Sequence, residues 1–200
     1  MLGDQGRQLV DIALKNSERL TRLINDILDI EKIESGKVEF QFQPVAVAQL
    51  VQQAIDANRA YADLFGVELE LHGAASQAQV YGDPDRLLQV LANLISNAAK
   101  FSPRQGTVVI SVAAEEDQVW VRVADQGPGI PEEFRSRIFQ KFAQADSSDT
   151  RQKGGTGLGL SISKAILEQL GGNIGYQTEL GAGTTFYFTL PSYRAPHGAL

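Results

Sequence analysis

From Leu9 to Ile30, the positions Leu9, Ala13, Asn16, Leu20, Leu23, Ile27 and Ile30 follow one another at alternating steps of four and three. That spacing is the seam of a helix that packs on other helices, because a 3.5-residue period keeps one face in line. Ile12, Ile24 and Ile33 widen the stripe, so the segment is expected in a bundle of several helices and not to be stable alone. Ser35-Gly36 closes it, since glycine tolerates a left-handed cap. Val38-Glu39-Phe40-Gln41-Phe42 then alternates like a strand with one buried face.

Beyond Pro44 the periodicities change repeatedly. Val47, Leu50, Val51, Ala54, Ile55, Ala62 and Phe65 predict a helix that Gly66 stops. Residues 67–71 and 79–81 read as short strands. Gly82-Asp83-Pro84-Asp85 then opens a helix over 85–101 with Leu87, Leu88, Leu91, Leu94, Ile95 and Ala98 on one face. Residues 108–112 and 119–123 read as antiparallel strands around an acidic turn. A polar, aperiodic stretch over 140–155 has the character of a lid or binding loop. A helix over 158–170 and a hairpin of 173–177 with 184–190 complete the pattern, and residues 191–200 read as a tail.

The 200 residues amount to about 1.3 ordinary domains, which favours one domain plus an appendage. With no cysteine, the chain has no thiol nucleophile, no CxxC metal site and no disulfide. A net charge of −6 disfavours nucleic acid and anionic lipid as partners, since both attract positive surface. No run approaches the roughly 18 to 20 apolar residues of a membrane span, and Met1 does not open a secretory pattern, so a cytoplasmic location is expected.

Three motifs carry chemistry. Asp125-Gln126-Gly127-Pro128-Gly129 presents a carboxylate at a strand end beside glycines that let a flat ligand such as a purine approach; taken alone, an ordinary strand-to-helix turn explains it better. Gly154-Gly155-Thr156-Gly157-Leu158-Gly159-Leu160 joins the polar loop to a helix start, where free amides and the helix dipole favour phosphate over mere close packing. It lacks the Gly-Lys-Ser or Gly-Lys-Thr of a P-loop. Asn93 and Asn97 share a helix face, with Lys100 three residues on; an amide oxygen plus nucleotide phosphates suits Mg²⁺. Alone, ordinary polar positions near a helix end explain the asparagines better.

In order along the chain, these segments resemble the catalytic ATP-binding domain of bacterial sensor histidine kinases, within the wider family of gyrase, heat-shock chaperones and mismatch-repair ATPases. Residues 85–101 resemble its N box and Asp125 to Gly129 its first glycine box. Ile138-Phe139-Gln140-Lys141-Phe142 resembles the phenylalanine box, Gly155 to Leu160 the second glycine box, and Gly181-Ala182-Gly183-Thr184 the last. The resemblance implies a two-layer α/β sandwich of the Bergerat type, with a mixed, largely antiparallel sheet against three helices. It also implies ATP and Mg²⁺ as cofactors. Asn97 would ligate the metal, Lys100 would contact phosphate, Phe101 would lie near the base, and Asp125 would bind the adenine amino group with support from Thr184. Gly127, Gly129, Ile130 and Phe139 would complete the nucleotide-binding set. Gly155, Thr156, Gly157, Leu158 and Gly159 would form the phosphate-facing end of a lid from which Arg151 reaches the terminal phosphate. Some relatives instead carry an arginine shortly after the phenylalanine box, where this chain has Gln144.

Residues 1–36 resemble the second helix of the kinase dimerisation domain, which divides the chain into that partial helix, a catalytic domain over 37–190 and the tail. The family's acceptor histidine precedes an acidic residue, whereas here His72 precedes Gly73 and His197 lies in the tail. The expectation is therefore ATP binding without self-phosphorylation on histidine. The implied partners are a dimerisation domain carrying the acceptor, a response-regulator receiver domain and, for a full-length protein, whose membrane attachment the residues leave open, a second copy. Hydrolytic relatives place a water-activating glutamate four residues before the metal-ligating asparagine; Asn93 holds that position, and a neutral amide is a poor base, which favours phosphoryl transfer over hydrolysis. A nucleotide-sensing module that has lost transfer is a third reading, opposed by the intact motifs.

Overall fold

A computed structural model of the chain describes residues 3–73, 77–144 and 155–194. Helix α1 (Asp4–Glu34) ends where the backbone N–H of Ser35 reaches the Glu31 carbonyl at 3.0 Å. Strand β1 (Gln43–Ala46) leads directly into helix α2 (Val47–Phe65). Strands β2 (Glu68–His72) and β3 (Gln79–Gly82) precede helix α3 (Pro84–Phe101). Asp83 starts α3 by accepting the backbone N–H groups of Asp85 and Arg86, with Pro84 in the first turn. Strands β4 (Thr107–Glu115) and β5 (Gln118–Asp125) form a hairpin. The one-turn helix α4 (Glu132–Arg135), helix α5 (Gly159–Gln169), and strands β6 (Asn173–Glu179) and β7 (Gly183–Pro191) follow.

Five strands form one sheet in the order β2-β4-β5-β7-β6, with β2 parallel to β4 and the other neighbours antiparallel. Alternation along β4 and β5 turns Val108, Ile110, Val112, Val119, Val121 and Val123 into the core. Helices α2, α3 and α5 supply the other layer. Leu87, Val90, Leu91, Leu94 and Ile95 of α3 are buried, each worth about 1.5–3 kcal/mol of transfer out of water. The mixed sheet and three-helix layer match the architecture expected from the sequence. No helix among the described residues is long and apolar enough to cross a membrane.

The expected strand over 38–42 is not a strand. Val38 and Phe40 do turn toward the core, but the backbone N–H of Gln41 goes to the Asp83 carboxylate at 2.9 Å and not to a neighbouring strand. Pairing begins instead at Gln43, where β1 and β3 form a separate two-stranded antiparallel ribbon. Pro44 is tolerated there because a two-stranded ribbon has edges that need no N–H donor. Residues 192–194, expected in the tail, are tied down: Ser192 N–H donates to Asp117 O at 2.8 Å and Tyr193 N–H to Gln79 O at 2.7 Å.

Candidate functional site

Asp125 ends β5 directly opposite Thr184 of β7. Its Oδ1 accepts the backbone N–H of Gly127 at 2.8 Å and of Thr184 at 3.2 Å. Among the described residues no group bonds Oδ2. Burial raises the carboxyl above the ordinary aspartate value, against the lowering effect of the two N–H groups. Gly183 runs so close behind that a Cβ there would overlap the Asp125 carbonyl, and its φ of +110° suits only glycine. The directions a side chain would take at Gly127 and Gly129 are likewise filled by the chain itself, by Phe101 O and by Glu179 O. These glycines therefore press the loop onto α3 and the β6–β7 hairpin and fix where the carboxylate stands. Ile130 is buried beside them, with its N–H on Thr178 Oγ1 at 2.9 Å.

The second group lies where α3 meets α5. Asn97 Nδ2 donates to Asn93 Oδ1 at 3.4 Å, and Asn93 Nδ2 donates to Ser163 Oγ of α5 at 2.9 Å. Gly159 opens α5 against this pair; a Cβ there would overlap Asn93 Oδ1. Leu158 is fully buried at the helix start, its N–H on Thr156 Oγ1 at 3.3 Å. No side chain caps α5, so its first amides are available to an anion. The Lys100 ammonium stands 4.7 Å from the Phe101 ring centroid and beside Gly155.

The glycine-rich segment also meets α1. Thr156 Oγ1 donates to Asp26 Oδ2 at 2.8 Å. Asp29 Oδ2 receives Gln89 Nε2 at 3.0 Å and Arg86 Nη1 at 3.4 Å. Lys141 bonds Glu34 at 2.7 Å, which holds its ammonium above the usual lysine value, with Glu31 adding to the effect. Phe139 lines the cleft between α1 and α5 with Ile30 and Ile33, and its ring centroid is 6.0 Å from that of Tyr176.

Of the residues singled out in the sequence, Asn93, Asn97 and Gly159 are thus brought together, Lys100, Phe101 and Gly155 form a neighbouring set, and Asp125, Gly127 and Thr184 make a third. Phe139 is found at the α1 cleft. Arg151 lies outside the described residues. Sequence reasoning missed Thr178, Ser163 and Asp26. For Thr178 a signal existed, because a hairpin turning at Gly181 and Gly183 with its register fixed puts Thr178 opposite Thr184. For Asp26, which meets Thr156 across 130 positions, there was none.

Residues 82–194 match the family described as Histidine kinase-, DNA gyrase B-, and HSP90-like ATPase. Residues 1–36 match the His Kinase A (phospho-acceptor) domain. The circadian input-output histidine kinase CikA of Synechococcus elongatus is 40% identical over 192 residues, covering 95% of this chain and 26% of CikA. The chain covers only 20% to 26% of the length of the first curated relatives it matches. Among solved structures, full-length ShkA in complex with AMPPNP has a TM-score of 0.83 at 31% identity, covering 98% of this chain and 40% of that one. The Acinetobacter baumannii histidine kinase AdeS has a TM-score of 0.77 at 25% identity, covering 97% of this chain and 88% of that one.

Proposed function

The chain belongs to the histidine kinase-, DNA gyrase B- and HSP90-like ATPase family, as the ATP-binding domain of a bacterial sensor histidine kinase preceded by part of its dimerisation domain, and on that premise we propose that it binds Mg-ATP and transfers the γ-phosphoryl group to a histidine on a dimerisation domain. The observation that carries the nucleotide reading is the Asp125 carboxylate, held by two backbone N–H groups at Oδ1 with Oδ2 left to a ligand donor. The adenine amino group is such a donor, and Thr184 supports it from the opposite strand. Phe101 and Ile130 are assigned to the rest of the binding set; Gly127 and Gly129, expected to admit a flat ligand, act by fixing the loop that carries Asp125, and Phe139, expected at the nucleotide, packs in the α1–α5 cleft instead. Lys100, the segment from Gly155 to Gly159 and the free amides of α5 take the phosphates, since cation and helix N-terminus both favour anions. Arg151 is assigned to the terminal phosphate.

The donor set fits a magnesium ion shared with the nucleotide. Among the described residues no three His, Cys, Asp or Glu side chains converge as a metal site, so the protein offers few ligands of its own. Asn97 spends its amide nitrogen on Asn93, which leaves a hard amide oxygen for the cation. When bound, Mg²⁺ supplies charge neutralisation across the phosphate oxygens. The chain's own contribution is positioning. Asn93 is neutral and engaged at both ends, by Ser163 and Asn97, so it activates no water. The nucleophile is then an imidazole nitrogen. Its lone pair forms the P–N bond as the bond from the γ-phosphorus to the β–γ bridging oxygen breaks, and ADP leaves.

Residues 1–36 contain no histidine, and His72 is exposed and paired with Glu70 at 2.7 Å. The acceptor is therefore assigned to a companion helix, with α1 as the partial dimerisation element and the catalytic domain running from residue 37 through the tied-down residues 192–194. A receiver domain as next phosphoryl carrier, a homodimer and a cytoplasmic setting belong to the same reading. Calorimetry with ATP, with and without Mg²⁺, followed by addition of a separately purified dimerisation domain bearing the acceptor, tests it. Metal-dependent binding and acid-labile, base-stable phosphate on the added domain are expected. Binding without transfer leaves a sensing module, and no binding removes the nucleotide reading altogether.

A further inference from the structure

Asp125, Thr184 and Thr178 lie in one row across three adjacent strands, Thr184 facing Asp125 on β5 and Thr178 on β6. Thr178 Oγ1 has three neighbours: the Ile130 N–H at 2.9 Å, the Gly183 carbonyl oxygen at 3.1 Å and the Thr184 hydroxyl oxygen at 3.0 Å. A hydroxyl has one proton and two lone pairs. The Ile130 N–H can only donate, so it takes one lone pair of Thr178. The Gly183 carbonyl can only accept, so it takes the Thr178 proton. One lone pair remains for Thr184, whose hydroxyl must therefore donate. All three contacts are satisfied together in this arrangement alone, and Thr184 is nine-tenths buried, where an unmade hydrogen bond is costly.

We infer that Thr178 is a positioning residue that captures the Thr184 hydroxyl proton and so leaves the site with acceptors only, which selects a purine bearing an amino group over one bearing a carbonyl. The inference rests on the nucleotide reading proposed above. With its proton on Thr178, Thr184 Oγ1 offers lone pairs to a ligand, as does Asp125 Oδ2. The 6-amino group of adenine donates two N–H bonds and matches both. The 6-oxo group of guanine meets lone pairs on every side. Were Thr178 without its hydroxyl, the Thr184 O–H would be free to turn and donate to that oxygen.

The test measures Kd for Mg-ATP and Mg-GTP by calorimetry in the parent chain, in Thr178→Val and in Thr178→Ser. The parent and Thr178→Ser are expected to share a strong preference for ATP, and Thr178→Val to lose roughly tenfold of it, mostly by gaining GTP affinity. A merely structural role would weaken both nucleotides in proportion and leave the ratio unchanged, and that result overturns the inference. Should Thr178→Val fail to fold, Thr178→Ala removes the same hydroxyl with less bulk and is read by the same ratio. Loss of selectivity in Thr178→Ser also counts against the inference. A parent that binds no ATP overturns the nucleotide reading, whereas a parent that selects ATP beside an unchanged Thr178→Val ratio overturns only the role of Thr178.

Discussion

The Thr156 hydroxyl donates a 2.8 Å hydrogen bond to Asp26 Oδ2, joining the glycine-rich segment to the first helix across 130 positions of chain. A phosphate brought to the start of α5 competes with Asp26 for the same hydroxyl proton and is repelled by the same carboxylate. Asp26→Ala is therefore expected to tighten ATP binding by roughly threefold to tenfold at low salt, with a smaller gain at high salt where the charge is screened. Calorimetry at two ionic strengths checks it; unchanged or weaker binding would show that Thr156 and the phosphates do not compete.

Asp125 sets function against stability. Burial raises its carboxyl above the 3.8 of a free aspartate. The contribution to folding is complete below that value, where both states hold the proton, and is lost as pH rises through the folded-state pKa, because the native state must then bury a charge. Asp125→Asn removes this cost and keeps an oxygen for the Gly127 and Thr184 N–H groups. Its Tm relative to the parent is expected to climb as pH rises above about 4, while ATP affinity falls at least about tenfold, since the amide nitrogen turns a donor toward a donor. A Tm difference that is flat or shrinks with pH contradicts the burial account.

Much of this arrangement is written locally. Asp83, Pro84 and the one-sided leucines announce α3, and alternating valines announce β4 and β5, because each signal lies within a few residues of the element it builds. The error over 38–42 has the opposite cause. Val38 and Phe40 pack as a strand would, but the Gln41 N–H is claimed by Asp83, 42 positions away, and nothing near Gln41 reveals that partner. The site divides in the same manner. Asn93, Asn97 and Asp125 stand out through the ordered motifs that resemble the family, since spacing and glycine context alone favour ordinary polar positions and a turn, whereas Thr178 and Asp26 become visible only once register and helix docking are known.

Asn97 separates metal dependence from folding. It is only partly buried, and the one hydrogen bond its side chain makes within the described residues, to Asn93, is long at 3.4 Å. Asn97→Ala should therefore leave the melting curve within about 0.5 kcal/mol of the parent, as for a substitution away from core and caps. Calorimetric titration with ATP should nevertheless lose its dependence on added Mg²⁺. Metal-dependent binding retained in Asn97→Ala would remove the residue from the cation site.

Gly159 poses a contest between two effects of similar size. Replacing glycine by alanine inside a helix ordinarily stabilises by about 1 kcal/mol. At Gly159 the new Cβ would overlap Asn93 Oδ1 and approach its Cγ at 2.8 Å. The asparagine cannot swing away freely, because Ser163 and Asn97 hold it at both ends, and losing those bonds costs about 1–3 kcal/mol. Gly159→Ala is accordingly expected to lower Tm in the parent. Once Asn93→Ala has cleared the space, the same substitution should raise it. A double-mutant cycle read by thermal melting measures the coupling between the two positions. An equal effect of Gly159→Ala in both backgrounds would mean that α5 is not seated on Asn93, and that the spacing between the start of α5 and the Asn93–Asn97 face of α3 has another origin.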